Sequence, residues 1–353
     1  MSRFLSQKLA GLEAYVPGEQ PRDKRYIKLN TNESPYPPPA CVVDAVGKAE
    51  IEDLRLYSDP ECTALKSAIA KQYGVNTKNI FISNGSDEVL NFAFMAYGDK
   101  GAVFPDITYG FYSVFADLYG INTEIVPLKD DFTVDINDYC GKNSLVVLAN
   151  PNAPTGIALE LSEIEKIVSS NPDGIVIIDE AYVDFGAESA VKLTEKYSNL
   201  LVVQTYSKSR SMAGARLGFA FANEQIIEDL EKIKYSTNPY NINRLTQIAG
   251  AAALSNQAYF DGNSKKISET REYVKKELVK LGFTVTDSKA NFLFAKSDKI
   301  GGKELYLSLK ERGVLIRHFE SERIKDFNRI TVGSREEMEI FLKEVREIIG
   351  GKL

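Results

Sequence analysis

From about Tyr57 to Phe221 one pattern recurs along the chain: a short apolar run rich in β-formers, followed in most cases by an amphipathic stretch. The runs read NIFIS, GAVF, TEIV, LVVLAN, GIVIID, LLVVQT and LGFAF. Strands that alternate with helices lie parallel, because the helix carries the chain back to the same edge, so the rhythm predicts an α/β unit with a mainly parallel sheet. Several runs are apolar nearly throughout, as a strand must be when helices cover both faces of its sheet. Beyond Leu245 the pattern changes. Long charged helices, NSKKISETREYVKKELVKLG and SREEMEIFLKEVREIIG, interleave with the runs FTVTD, NFLFA, VLIRHF and RITVG. The expected organisation is a large α/β domain over 41–245, its mixed sheet held between helices, and a smaller α+β domain over 246–353. Residues 1–40 form an arm that also supplies part of the smaller domain. The arm's NESPYPPP should run extended over the surface, since proline lacks an N–H and fixes its own φ.

Composition narrows the function. A chain of 353 residues, 44% of them apolar, can bury a large core. Its net charge of −6 leaves no basic face of the kind nucleic acid requires. Cys41, Cys62 and Cys140 are far apart and lack CxxC spacing, which suits a reducing cytosol and ordinary thiols. No stretch approaches the ~20 apolar residues that span a bilayer, and the N-terminal residues are of mixed polarity. The expectation is a cytoplasmic enzyme of small molecules, with no nucleic-acid or membrane partner and no metal.

Five short segments carry chemistry. GIVIIDEAYVDF reads as a buried strand that places Asp179 at its carboxyl end, where open α/β sheets keep their ligand crevice. A helix cap or turn aspartate is the alternative. Tyr182, three residues on, either faces the same crevice or packs. The next strand leads into TYSKSRSMAGARLGFAFA, where Lys208 follows the hydroxyls of Thr205 and Ser207 and precedes Arg216. A lone lysine is normally a solvated charge, but this one stands where the preceding strand put its aspartate. Lysine can form an imine with a carbonyl, and hydroxyls with an arginine can hold a phosphate. Pyridoxal 5′-phosphate (PLP) needs that combination. In ISNGSDEVLNFAF, Asn84, Gly85, Ser86 and Asp87 open an apolar helix, so backbone N–H groups can meet a phosphate; a plain N-cap is the other reading. In VVLANPNAPTG, Asn150 and Asn152 form a rigid turn, and Asn152 either donates to a ring oxygen or serves the turn alone. In FPDITYGFY, Tyr109 follows a strand and can stack on a flat heteroaromatic ring.

These motifs, with LNTNESPY, LYSDP, ANFLF and RITVGSREE, are similar in order and spacing to the fold-type-I PLP-dependent aminotransferases, and most closely to the histidinol-phosphate aminotransferase family. The resemblance runs nearly end to end. It implies a homodimer in which Lys208 is the Schiff-base lysine and proton shuttle and Asp179 pairs with the pyridinium nitrogen. Asn152 and Tyr182 would bond the phenolic oxygen, Tyr109 would stack on the ring, and Lys208, Asp179 and Tyr182 form the implied catalytic set. Gly85, Ser86, Asp87, Thr205, Ser207 and Arg216 would cradle the phosphate, with Tyr57 reaching it from the neighbouring subunit. For substrate, Arg329 would grip a carboxylate and Arg317 would be a second anion clamp, suited to a phosphate or a distal carboxylate; sequence does not apportion the two anions between them. Tyr15 and Asn32 would lie on the arm closing over the substrate. His318, the single histidine, is given no role.

The implied reaction transfers nitrogen from L-histidinol phosphate to 2-oxoglutarate in two half-reactions, giving imidazole acetol phosphate and glutamate. A broad-specificity aromatic aminotransferase and a phosphothreonine or phosphoserine decarboxylase share every cofactor residue named above. A regulator that fuses this fold to a DNA-binding domain is disfavoured, since the motifs begin near Leu29. A nonenzymatic descendant is disfavoured because Lys208 and Asp179 are both present.

Overall fold

The computed structural model describes residue 9 and residues 11–351. Strand β1 (Ile27–Lys28) lies in the arm. Among the described residues a seven-stranded sheet follows, made of β2 (Ile80–Ser83), β3 (Ala102–Pro105), β4 (Thr123–Val126), β5 (Leu145–Ala149), β6 (Val176–Asp179), β7 (Leu200–Thr205) and β8 (Gly218–Phe221). Each of the seven apolar runs is one of its strands. The order is β2-β8-β7-β6-β5-β3-β4, with β8 antiparallel to both neighbours and the other pairs parallel.

The period-2 geometry of strands divides the side chains of this sheet between two cores. Val146, Leu148, Val176, Ile178, Leu200 and Val202 face one layer of helices, which includes 63–73, 161–169 and 244–253. Leu145, Val147, Ile177, Leu201 and Val203 face the other, built on helices 86–97 and 111–119. Burying an aliphatic side chain of this size contributes about 1.5–3 kcal/mol, so the continuous apolar runs fix β5, β6 and β7 as central strands. After β3 the chain turns outward to β4, and from β5 it works inward. The carboxyl ends of β3 and β5 therefore flank a crevice.

The second unit is an antiparallel sheet in the order β12-β13-β10-β9, made of β9 (Phe283–Val285), β10 (Phe292–Ser297), β12 (Arg317–His318) and β13 (Phe327–Thr331). Helices 257–280, 302–311 and 335–350 pack on it around a core that includes Leu293, Ile330, Phe341 and Val345. Ser334 and Glu337 close a capping box at the start of 335–350. The run VLIRHF, read as one strand, is divided. β11 (Val314–Leu315) pairs in parallel with β1, and only Arg317–His318 joins the main sheet of this unit. That division ties the arm to the smaller unit. NESPYPPP forms neither helix nor strand, and a helix begins at Ala40, directly after Pro39.

The two units are joined by direct contacts. Arg271 Nη1 donates to Phe185 O and Ala290 O, Lys289 N donates to Gly156 O, and the Thr286 hydroxyl donates to Thr155 O. Among the described residues no helix is long and apolar enough to cross a membrane.

Gly218, at the start of β8, lies so close to the turn before helix 86–97 that a Cβ there would sit 2.3 Å from Gly85 C and 2.4 Å from Ser86 N. Both atoms are backbone and cannot swing aside. Gly218→Ala should therefore lower stability by about 1–3 kcal/mol, read as a lower denaturant midpoint at unchanged slope. An unchanged midpoint would show that the turn is free to move.

Candidate active site

Strand β6 ends in a carboxylate with almost no water. Asp179 is 4% exposed; Oδ2 accepts from the Tyr112 hydroxyl at 2.8 Å and Oδ1 from Ala181 N at 3.2 Å. Burial pushes its pKa up to about 6 against these two donors. Tyr112, wholly buried on helix 111–119, is a member of the site that the sequence reading missed: FPDITYGFY holds two tyrosines, and Tyr109 alone was singled out. Lys208 follows β7, and its Nζ donates to Thr31 O at 3.2 Å and lies 5.6 Å from the centre of the Tyr182 ring.

Lys208, Tyr182 and Tyr109 stand where two cavities meet. The first, about 450 Å³, is lined by Ser86, Asp87, Asp179, Thr205, Ser207 and Arg216. The second, about 370 Å³, is lined by Tyr15, Asn32, Arg317, Phe319 and Arg329. The carboxyl ends of β3, β5, β6 and β7 thus open into one cleft whose far wall comes from the arm and the smaller unit.

In the first cavity Gly85 takes φ +74°, and a Cβ on it would lie 2.4 Å from Arg216 Nη2. Only a glycine lets that guanidinium close over the turn. Ser86 and Asp87 begin helix 86–97, whose first N–H groups have no partner inside the helix. The Thr205 hydroxyl bonds Ser207 Oγ at 3.0 Å. Asp87 holds two neighbours at once: Oδ1 accepts from the Tyr109 hydroxyl at 2.8 Å and Oδ2 from Arg216 Nη2 at 3.2 Å.

In the second cavity Arg329 lies between the rings of Phe292 and Phe319, at 5.4 and 5.9 Å. Its Nη2 donates to Asn30 O at 3.0 Å, while its buried Nε has no partner among the described residues. Burial lowers its pKa, the expected penalty on a cation whose anion is not supplied by the fold. Arg317 donates to Val16 O and Pro17 O of the arm, and Tyr15 stacks on Phe111 at 4.2 Å beside Tyr109.

Two of the residues expected at the cofactor, Asn152 and, from the neighbouring subunit, Tyr57, lie outside the walls of both cavities of this chain. Asn152 Nδ2 donates to Ile107 O at 2.9 Å and Thr155 Oγ1 at 3.1 Å, and its Oδ1 accepts from the Thr108 hydroxyl at 2.9 Å. Both of its N–H groups are engaged in the turn. Tyr57 is 79% exposed, stacked on Tyr240 at 4.4 Å, and is likewise absent from both cavity walls of its own chain. His318 stacks on Tyr306 outside both.

The chain belongs to the class I and II aminotransferases, whose sequence pattern matches residues 24–345. Within that class its likeness is specific. It is 54% identical over 352 residues to the histidinol-phosphate aminotransferase of Brachyspira hyodysenteriae, covering 99% of both chains. To that of Clostridium acetobutylicum it is 48% identical over 351 residues, covering 99% of this chain and 100% of the relative. The fold matches the crystal structure of histidinol-phosphate aminotransferase from Sinorhizobium meliloti in complex with pyridoxal-5′-phosphate, with TM-score 0.85 and 23% identity, covering 94% of this chain and 93% of that one.

PLP is the cofactor of this class, and the first cavity suits it. Among the described residues Asp179 has no ion pair, so a cation placed against it would be favoured. The turn at Gly85, the start of helix 86–97 and Arg216 together offer donors of the kind a phosphate would accept from, and Lys208 places an amine on the same cavity wall.

The raised pKa of Asp179 has a stability consequence with a definite sign. The folded carboxyl keeps its proton up to about pH 6, whereas an unfolded one releases it near 4. Its contribution is therefore fully present below about pH 4 and is lost as pH rises through about 6. Cofactor-free Asp179→Asn should be more stable than the parent at pH 8, by up to about 3 kcal/mol, and equal to it near pH 4. Parallel stability curves across that range would contradict the assignment.

Proposed function

We propose that this chain catalyses transfer of the amino group of L-histidinol phosphate to 2-oxoglutarate, giving imidazole acetol phosphate and glutamate in histidine biosynthesis. The observation that carries the reading is the joined pair of cavities. One is built for a phosphate and a protonated ring, the other for an anion on a buried arginine, and Lys208 stands at their junction. Full-length likeness to relatives named histidinol-phosphate aminotransferase supports the substrate assignment.

When bound, the cofactor supplies a carbonyl that takes the amino nitrogen and a conjugated ring that accepts charge from Cα. The chain's residues do the rest. Asp179 holds the ring nitrogen protonated, and its ionised form is favoured once that positive charge sits against it. Tyr182 presents its hydroxyl to the ring oxygen, and Tyr109 covers the ring. Ser86, Thr205, Ser207 and Arg216 fix the phosphate. Arg329, with its unpartnered Nε, and Arg317, exchanging arm carbonyls for substrate oxygens, take the anions: the single phosphate of histidinol phosphate in one half-reaction and the two carboxylates of 2-oxoglutarate in the other. Lys208 removes the Cα proton and returns it on the other side of the exchange.

The working unit is a homodimer in the cytoplasm. Tyr57 is the main support for the dimer, since it is largely exposed in one chain, and the preceding segment carries the exposed apolar side chains Val43, Ile51, Leu54 and Leu56. Three free cysteines are in keeping with a reducing compartment.

Mixing the holoenzyme with substrate in a stopped-flow spectrometer tests the donor. L-histidinol phosphate should discharge the visible cofactor band far faster than phenylalanine, tyrosine or O-phosphothreonine. A faster aromatic amino acid, or carbon dioxide released from O-phosphothreonine, would replace the reading with another reaction on the same scaffold. A second test addresses the shared site. Lys208→Ala and Tyr57→Ala chains, each impaired alone, should regain activity when refolded together, because each hybrid dimer then contains one intact site. Recovery no greater than that of the Tyr57→Ala parent would place Tyr57 outside the neighbouring site.

A further inference from the structure

Four consecutive residues of the arm, Leu29 to Asn32, hold the cleft together through their carbonyls. Leu29 O accepts from Thr331 N at 2.9 Å, Asn30 O from Arg329 Nη2 at 3.0 Å, Thr31 O from Lys208 Nζ at 3.2 Å and Asn32 O from Asn291 Nδ2 at 3.1 Å. The same short segment thus touches the cofactor lysine of the larger unit and the substrate arginine of the smaller one. Its last residue, Asn32, is 1% exposed and takes φ +57°, a left-handed state that asparagine enters more readily than most residues and that its surroundings here hold in one orientation.

Thr331, two residues after Arg329 on β13, supplies that constraint. Its Oγ1 accepts from Asn32 N at 3.0 Å and donates to Asn32 Oδ1 at 2.8 Å. With Oδ1 held there, the amide can present only its nitrogen to the cleft, and Asn32 Nδ2 donates to the Tyr182 hydroxyl at 3.0 Å. A hydroxyl that accepts from an amide has its own proton free for another acceptor and is a stronger donor for it. The backbone N–H of Asn32 occupies Thr331 Oγ1 as acceptor, so the threonine proton goes to Asn32 Oδ1 and the direction of the bond to Tyr182 follows from it.

We propose that Thr331 is a positioning residue for the cofactor. It orients Asn32, Asn32 directs the Tyr182 hydroxyl outward, and the hydroxyl's donation to the ring oxygen sets the acidity of the Lys208-linked cofactor. The proposal rests on the role given to Tyr182 above. It also makes the substrate strand and the cofactor's protonation state parts of one hydrogen-bonded unit. The charged and titratable groups that face Tyr182 are Lys208, Arg329, Tyr15, Tyr109 and Tyr112. Of these only Arg329 shares a strand with Thr331, and its backbone pairs with Phe294 and Arg317 rather than through the Thr331 side chain.

The readout is the pH midpoint of the visible band of the holoenzyme, measured without substrate. Donation to the ring oxygen stabilises the state that has lost its proton, so weaker donation raises the midpoint. Thr331→Val removes the hydroxyl at constant shape and should shift the midpoint upward by about half a pH unit to one unit, the size of one polarising hydrogen bond. Thr331→Ser should leave it within error of the parent, and Thr331→Ala should behave like the valine variant should the latter not fold. Tyr182→Phe should shift it further in the same direction, and adding Thr331→Val to Tyr182→Phe should add nothing. A Thr331→Val midpoint equal to the parent, while Tyr182→Phe moves, overturns the inference and leaves the Tyr182 assignment standing. A Thr331 shift that persists in the Tyr182→Phe background also overturns it, because the effect then travels by another route. An unmoved midpoint in Tyr182→Phe itself overturns the role of Tyr182, and the inference with it.

Discussion

A carboxylate buried at the end of a central strand is the constraint on which this site depends. Among the described residues the Asp179 carboxylate accepts hydrogen bonds from Tyr112 and one backbone N–H, and burial holds its pKa near 6. Such a group is costly for an empty protein and favourable for one that binds a cation against it. The sheet makes the placement unavoidable. β6 lies between β5 and β7 in a layer closed by helices on both sides, so its last residue projects into the crevice at the strand ends and not into bulk water. The neighbouring strand then delivers Lys208 to the same opening.

The second organising element is the arm. A parallel sheet can offer only one rim of a cleft, and here the other rim is brought up by a segment far away in the chain. β1 joins the smaller unit through β11, and the carbonyls of Leu29 to Asn32 then contact Thr331 and Arg329 of β13, Lys208 and Asn291. Arg317 holds the arm one turn earlier, at Val16 and Pro17. The arm thus touches both arginines and Lys208, so the residues proposed for substrate and for cofactor are linked through one segment.

Much of this was legible in the sequence, for identifiable reasons. Apolar continuity in LVVLAN, GIVIID and LLVVQT reported burial on both faces, and the residue emitted at each strand's end reported the site. Patterns of that kind are local. The order of the strands was not local, nor was the division of VLIRHF, whose two halves find partners in different sheets although no turn residue interrupts the run. Asn152 shows the same limit from the other side. Its motif placed it near the cleft, but which neighbour its amide would meet depended on Ile107 and Thr155. Tyr112 and Thr331 gave no signal of their own, because each acts through a single hydroxyl on a partner 67 or 299 positions away.

The central claim is that Lys208, at the junction of the two cavities, is the residue that holds the cofactor. Reduction of the PLP-loaded enzyme with borohydride, followed by proteolysis and mass spectrometry, tests it directly. The account predicts one modified lysine per chain, in the peptide containing Ser207-Lys208-Ser209. Attachment to a different lysine, such as Lys28 beside the same arm, or no fixed cofactor at all, would contradict it.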